Sequence, residues 1–260
     1  MDLQTAQIVS AAFVAVSALV FIVAERRWPY EKGLKIFREG FWTDMVFYTL
    51  LQSYVAGSLI AHFASWLDQT TAGRPEIVTN WPIWAQLVFF IVLHDLYIWW
   101  FHRLCHENKI LWRLHEAHHS PRQVDWLSGV RSHFLEIMIN GVVEFLPIVL
   151  LGAAPVVAIY KGAISAVWGM FIHSNLDVRL GPLIYLINGP ELHRWHHGEH
   201  EEVYYRNYAT KLAIWDWLFK TIYHPGFKPN RYGLPYRYPL NNYFKQHWVS
   251  LRPLGRKDAE

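Results

Sequence analysis

Long apolar runs alternate with short polar ones along this chain. The first, from about Ala6 to Ala24, approaches the roughly 20 residues that a helix needs to cross a bilayer. Only Asp2 is charged ahead of it, and Glu25, Arg26 and Arg27 follow at once. A cleaved secretory leader has the opposite polarity, so an uncleaved anchor is expected. A second run covers about Phe41 to Leu67 and a third Pro82 to Phe101. Two shorter runs, Ile137 to Leu151 and Pro155 to Phe171, are separated by Gly152, Ala153 and Ala154; their lengths predict a tight helical hairpin, short for a full crossing.

Loop charge orients these spans, because Lys and Arg in short loops favour the cytoplasm. The loop after the first span holds Arg26, Arg27, Lys32, Lys35 and Arg38, and the loop between the second and third holds only Arg74. The N-terminus is therefore expected outside, with His102 to Arg131 and the polar C-terminal third on the cytoplasmic side. Composition supports a membrane setting for the 260 residues: 53% are apolar and 17% charged, against about 25% charged in a soluble domain. The net charge of +3 carries no nucleic-acid signature. With one cysteine, Cys105, a thiolate cage is excluded and metal chemistry falls to nitrogen and oxygen ligands.

Fifteen histidines are available, and most are grouped. His102 and His106 lie four apart at the end of the third span, so both leave one helical face. Nine residues on comes His115-Glu116-Ala117-His118-His119, and far downstream His193-Arg194-Trp195-His196-His197 repeats its i, i+3, i+4 spacing; these positions share a helical stripe, so each copy is expected to present three ring nitrogens to one point. Pro190 and Gly198 are placed as start and stop of a short helix around the second copy. His173 leaves the end of the hairpin on the same side. A lone histidine is more often a surface or core residue than a ligand, but these motifs converge on one membrane face. Imidazole suits iron, zinc and copper. One metal takes about four to six ligands, so nine histidines suggest two metals.

Taken together, these motifs resemble the fatty acid hydroxylase and sterol desaturase superfamily over roughly residues 90–222. The likeness rests on His102 to His106 with Arg103 between, Leu111-Trp112-Arg113-Leu114-His115 leading into His118-His119-Ser120, and Arg131-Ser132-His133 followed by Glu136. It continues through His173-Ser174-Asn175, Pro190 with His193 to His197, Asn207-Tyr208, and Trp215-Asp216. Within the superfamily the chain looks most like the bacterial sterol-desaturase-like branch, which is similar to alkylglycerol monooxygenases. The resemblance implies an all-α polytopic membrane bundle of about four to five transmembrane or hairpin helices, capped by a cytosolic histidine-rich domain, the 260 residues forming one unit. It also implies two iron ions held by His102, His106, His115, His118, His119, His173, His193, His196 and His197, and oxidation of a C–H bond of a lipid (sterol, fatty acyl or ether lipid) by O2. Some members carry a further histidine where this chain has Gly169, and Ala209 and Lys220 stand where the family usually has glycine. His133 and His94 are therefore kept as candidate ligands.

Asp95 lies seven residues before His102, almost two turns, and is expected to accept a hydrogen bond from a ligand imidazole; Asn207 and Asp216 are expected to brace the ligands or the fold. Glu144 and Lys161 sit at similar depth in the hairpin, where intramembrane charges pair or face a cavity. His62, His200 and His247 are given no role. No dinucleotide-binding glycine fingerprint occurs, and His224-Pro225-Gly226-Phe227, although similar to a cytochrome b5 haem motif, has no recognisable second axial histidine. Electrons are thus expected from an external ferredoxin, cytochrome b5 or reductase. The protein is expected in a bacterial inner membrane, with the endoplasmic reticulum as the alternative, although no di-lysine retrieval signal closes the chain at Arg256-Lys257-Asp258-Ala259-Glu260. Competing functions are metal transport or sensing, zinc hydrolysis, and a catalytically altered relative. Transport places ligands near the bilayer midplane, and catalytic zinc needs three protein ligands rather than nine.

Overall fold

The computed structural model describes residues 2–71, 73 and 75–252; Arg74 and the closing Arg256 to Glu260 lie outside the described residues. Helix α1 (Leu3–Arg27) starts where Asp2 accepts the Thr5 amide at 2.8 Å. A π-helix (Thr43–Gln52) runs straight into α2 (Ser53–Thr70). Then follow α3 (Ile83–Glu107) and α4 (Lys109–His119), the second capped by Asn108, whose side chain accepts the amides of Ile110 and Leu111. The hairpin is α5 (Phe134–Leu150) and α6 (Pro155–His173), with Pro155 at the first position of α6, where its missing N–H costs nothing. Short helices α7 (Pro190–His196), α8 (Ile214–Leu218) and α9 (Tyr243–Ser250) complete an all-helical fold, with no strand of a sheet among the described residues.

Among the described residues three helices are long and apolar enough to cross a membrane: α1, α3 and α6. The second arm of the hairpin, expected to be short, is thus one of them. Residues such as Ile8, Phe13, Val16 and Val20 of α1, and Trp84, Val88 and Val92 of α3, stand exposed, as they do on helices solvated by lipid. The run from Phe41 to Leu67 is helical too, but its first half is wound as a π-helix. Thr49 and Ser53 donate their hydroxyls to the carbonyls of Asp44 and Tyr48, five residues back, which matches that wider turn.

One end of the bundle is polar and tied to the membrane helices by buried ions. Glu25, at the end of α1, accepts the amides of Trp126 and Asn175, both at 2.7 Å. Asp44 of the π-helix bridges Arg38 and Arg131, and Arg38 also grips Asp125. In the hairpin, Glu144 and Lys161 form an ion pair, and His94 approaches the same carboxylate at 3.7 Å. These contacts leave few ways for the polar cap to shift against the bundle.

Candidate metal centre

Nine histidines meet between α3, α4, α6 and α7. His102, His106, His115, His119 and His196 form one group; His118, His173, His193 and His197 form another; within each, the candidate ligand atoms lie within 4.8 Å of one another. Each three-histidine motif, expected to meet at one point, is instead divided between the groups, because i and i+4 lie about 40° apart around a helix and i+3 lies about 60–100° from them. His115 and His119 leave one face of α4 toward α3, while His118, rotated from both, faces α6. In α7, His196 turns to the first group, and His193 and its i+4 partner His197 turn to the second.

The outer ring nitrogens fix the inner ones. The Nδ1–H groups of His102, His118, His173 and His196 donate to the carbonyls of Tyr208, Arg131, Gly169 and Arg206 at 2.7–2.9 Å, and that of His115 to Glu136 Oε1 at 2.9 Å. With the proton on Nδ1, each Nε2 is left as a lone pair aimed inward. In the first group all five Nε2 atoms are buried without a hydrogen-bond partner. In the second, Nε2 of His173 lies 3.3 Å from that of His118, 3.1 Å from that of His197 and 2.9 Å from that of His193. His118 and His173 both carry their protons on the far side, so the short N···N contact between them is not a hydrogen bond. Two ligands at 90–110° on a metal with bonds of about 2.1 Å are separated by about 3.0–3.4 Å. The donor set therefore fits two metal ions.

Burial pushes His118 down to about 4 and holds His115, His119, His193, His196 and His197 well below the ordinary histidine range, so these imidazoles are neutral at pH 7, the state that binds metal.

Behind the ligands, Asn207 adopts φ 55° and is held through Leu192, Tyr223 and its own amide. This left-handed turn directs the carbonyls on either side, Arg206 and Tyr208, at His196 and His102. Asp216 accepts the amides of Tyr208 and Ala209, the Trp99 indole N–H and the Thr221 hydroxyl, so it braces the same segment. Lys220, where the family usually has glycine, holds φ 59°, a conformation that glycine adopts without strain.

Three expectations change. Asp95 accepts no imidazole; its bonds go to Thr210 Oγ1, the amides of Lys211 and Leu212, and Trp215 Nε1, so it clamps the loop that follows Tyr208. His94 and His133 stand outside both groups. His133 instead accepts the Leu135 amide at the start of α5 and stacks on His247 at 4.4 Å. His247, given no role from sequence, accepts the Phe134 amide beside it. Sequence reasoning also missed Glu136 and Gly129 as site residues. Glu136 was visible within the Arg131-Ser132-His133 motif, but nothing in the sequence pairs it with His115. At Gly129 a Cβ would lie 2.5 Å from His173 Nδ1.

A cavity of about 210 Å³ opens between the imidazoles and α3, α5 and α6, with Ile98, Phe101 and Ile172 among its walls. Gly169 faces it, and nothing stands within 4 Å of the position its Cβ would take. On the opposite face a second cavity, about 450 Å³, reaches His106, His119 and His196 between Trp112 and Tyr236.

The fatty acid hydroxylase family model matches residues 87–221, the stretch that carries all nine histidines. The chain belongs to this family. An ornithine lipid hydroxylase of Rhizobium tropici is 32% identical over 216 residues, covering 79% of this chain and 64% of that protein. Human alkylglycerol monooxygenase is 33% identical over 49% of this chain and 28% of its own length, and rat methylsterol monooxygenase 1 is 29% identical over 53% and 46%. The chain thus spans less than two thirds of each of these relatives. No solved structure matches it significantly.

Proposed function

We propose that the chain is an O2-dependent lipid hydroxylase that binds one iron in each histidine group and faces the cytoplasm. The observation that carries this reading is the set of five orphaned Nε2 atoms beside a second set packed at coordination distances, both next to a cavity that opens among membrane helices. The printed names of the relatives, hydroxylases and monooxygenases of ornithine lipids, alkylglycerols and sterols, support a lipid substrate. Loop charge supports the cytoplasmic side.

Bound there, two irons would supply dioxygen activation and hydrogen abstraction from an unactivated carbon. The remaining work falls to the chain. Ile98, Phe101 and Ile172 hold an alkyl segment and keep water from it. Arg131, anchored to Asp44, Ser120 and the Leu240 carbonyl, fixes the peptide that orients His118. Glu136 holds His115 through Oε1, while its Oε2 is buried without a partner in the wall of the cavity, where it can carry a proton. Converting a C–H bond and O2 to an alcohol and water consumes two electrons and two protons. An external ferredoxin, cytochrome b5 or reductase is the electron source.

Iron analysis of the purified chain tests the reading: about two irons per chain are expected, and stoichiometric zinc after iron-replete expression would overturn it. His118→Ala and His196→Ala should each abolish lipid hydroxylation; wild-type turnover in either would refute the ligand assignment.

A further inference from the structure

The cavity beside the imidazoles changes character along its length. Near the ligands Ile98, Phe101 and Ile172 share its wall with Glu136, and farther up α3 and α6 the wall is formed by His94, Ser165 and Trp168. Each of these carries buried polar atoms with no hydrogen-bond partner: both ring nitrogens of His94, Ser165 Oγ and Trp168 Nε1. The His94 side chain is only 9% exposed. Groups of this kind normally find partners, and a buried set left unpaired around one cavity points to a ligand that supplies them.

The chemistry of the set selects the ligand. An indole N–H can only donate, whereas a hydroxyl and a neutral imidazole can each donate one hydrogen bond. The nearby charges are already matched: Lys161 pairs with Glu144, whose carboxylate also lies 3.7 Å from His94 Nδ1, beyond hydrogen-bond reach, and Lys211, also in the wall, lies 3.9 Å from Asp95. The subsite therefore offers hydrogen-bond donors without net charge. Its depth is set by helix geometry. His94 precedes His102, and Ser165 precedes His173, by eight residues, so both lie about 12 Å along their helices from those imidazoles.

We infer that His94, Ser165 and Trp168 form a recognition subsite for an uncharged oxygen acceptor of the lipid, an ester or amide carbonyl or a hydroxyl, about 8–12 Å along the helices from the imidazoles at which its carbon is oxidised. The inference rests on the cavity being the lipid site of the proposed hydroxylase, and it names the substrate class. A plain hydrocarbon leaves the three donors unpaired and is disfavoured, in the way that sites built to bind a hydroxyl reject analogues lacking it. The separation between subsite and imidazoles also fixes which carbon is presented.

The test is equilibrium binding of two radiolabelled probes to the full iron-loaded chain in lipid nanodiscs, referenced to empty discs: a long-chain ester and a hydrocarbon of equal length. The ester is expected to bind wild type about tenfold more tightly, the scale of one or two paired buried donors. Trp168→Phe combined with Ser165→Ala should bring that ratio close to one and change hydrocarbon affinity less than twofold, at wild-type helicity and iron content. Equal binding of both probes to wild type, or an unchanged ratio in the double variant, overturns the inference. Should the variant fold poorly, esters with the carbonyl moved along the chain decide on wild type alone: a preference for one position supports the subsite, and indifference to position refutes it. Failure of the hydroxylase reading would show separately, as absent iron or absent turnover with the probe ratio intact.

Discussion

Gly129 stands against the His173 ring, and an alanine methyl there would come within 2.5–2.9 Å of three ring atoms. Gly129→Ala should therefore displace His173 and weaken the second histidine group while leaving the first intact; metal titration should then show about one tight site in place of two. Glu136 acts on the other group by accepting the Nδ1–H of His115. Glu136→Ala should lower affinity for the first metal about 10- to 100-fold, the usual effect of removing a partner behind a metal-bound histidine, and Glu136→Gln, which keeps an acceptor oxygen, should restore much of it. Competition with a chelator measures both. At this scale the convergence of the nine imidazoles was legible in the spacing of the motifs, but their division was not: each i, i+3, i+4 triplet was expected to meet at one point and is split between the two groups. Nor were the partners of the imidazoles legible: carbonyls of Arg131, Arg206 and Tyr208 carry no signature in sequence, and Glu136 meets His115 only through the packing of α4 against α5.

Among the elements, the turn at Asn207 has more influence on the site than its length suggests. It sets two carbonyls against ligands of the first group, and its side chain joins the Leu192 carbonyl to both the amide and the carbonyl of Tyr223. Asn207→Ala loses those bonds and must hold a left-handed φ, so a loss of about 1–3 kcal/mol is expected; Asn207→Gly relieves the backbone strain and should lose less. Thermal unfolding of the two variants separates these contributions. In the hairpin, replacing Glu144 or Lys161 alone by an apolar residue strands a buried charge, so either single change should destabilise more than the double one. Additive single effects, measured by the same unfolding assay, would count against the pairing. The pairing itself could be anticipated from equal depth in two antiparallel arms. The π-helical winding of Thr43–Gln52 could not, since it depends on hydroxyl-to-carbonyl bonds and on tertiary anchors such as Asp44 with Arg131.

For the whole molecule, acid is the sharpest probe. Burial lowers the folded-state pKa of His118 and His133 to about 4, against about 6.5 in an unfolded chain. The stability they contribute is complete above the unfolded value and is lost as pH falls from about 6.5 toward 4, because only the unfolded chain takes up the protons. Metal-free protein should therefore melt at progressively lower temperature across that window, and loaded protein should release its metal there. The polar cap is expected in the cytoplasm, so a cysteine introduced at the exposed Tyr236 should react with an impermeant reagent only from that side. The all-helical bundle was readable from its apolar runs; the joining of cap to bundle through Glu25, Arg38 and Asp44 was not, because those partners are remote in sequence. The order of the ligands along the chain finally imposes a schedule. Four of the five imidazoles in the first group arrive within one short stretch, His102 to His119, as soon as α3 and α4 pair. The second group must wait for α6 to cross and for α7, whose last contribution is His197, to be synthesised and docked. The first site would thus hold four of its five imidazoles before the hairpin inserts, and α7, which brings His196 to it and His193 and His197 to the second, would complete both.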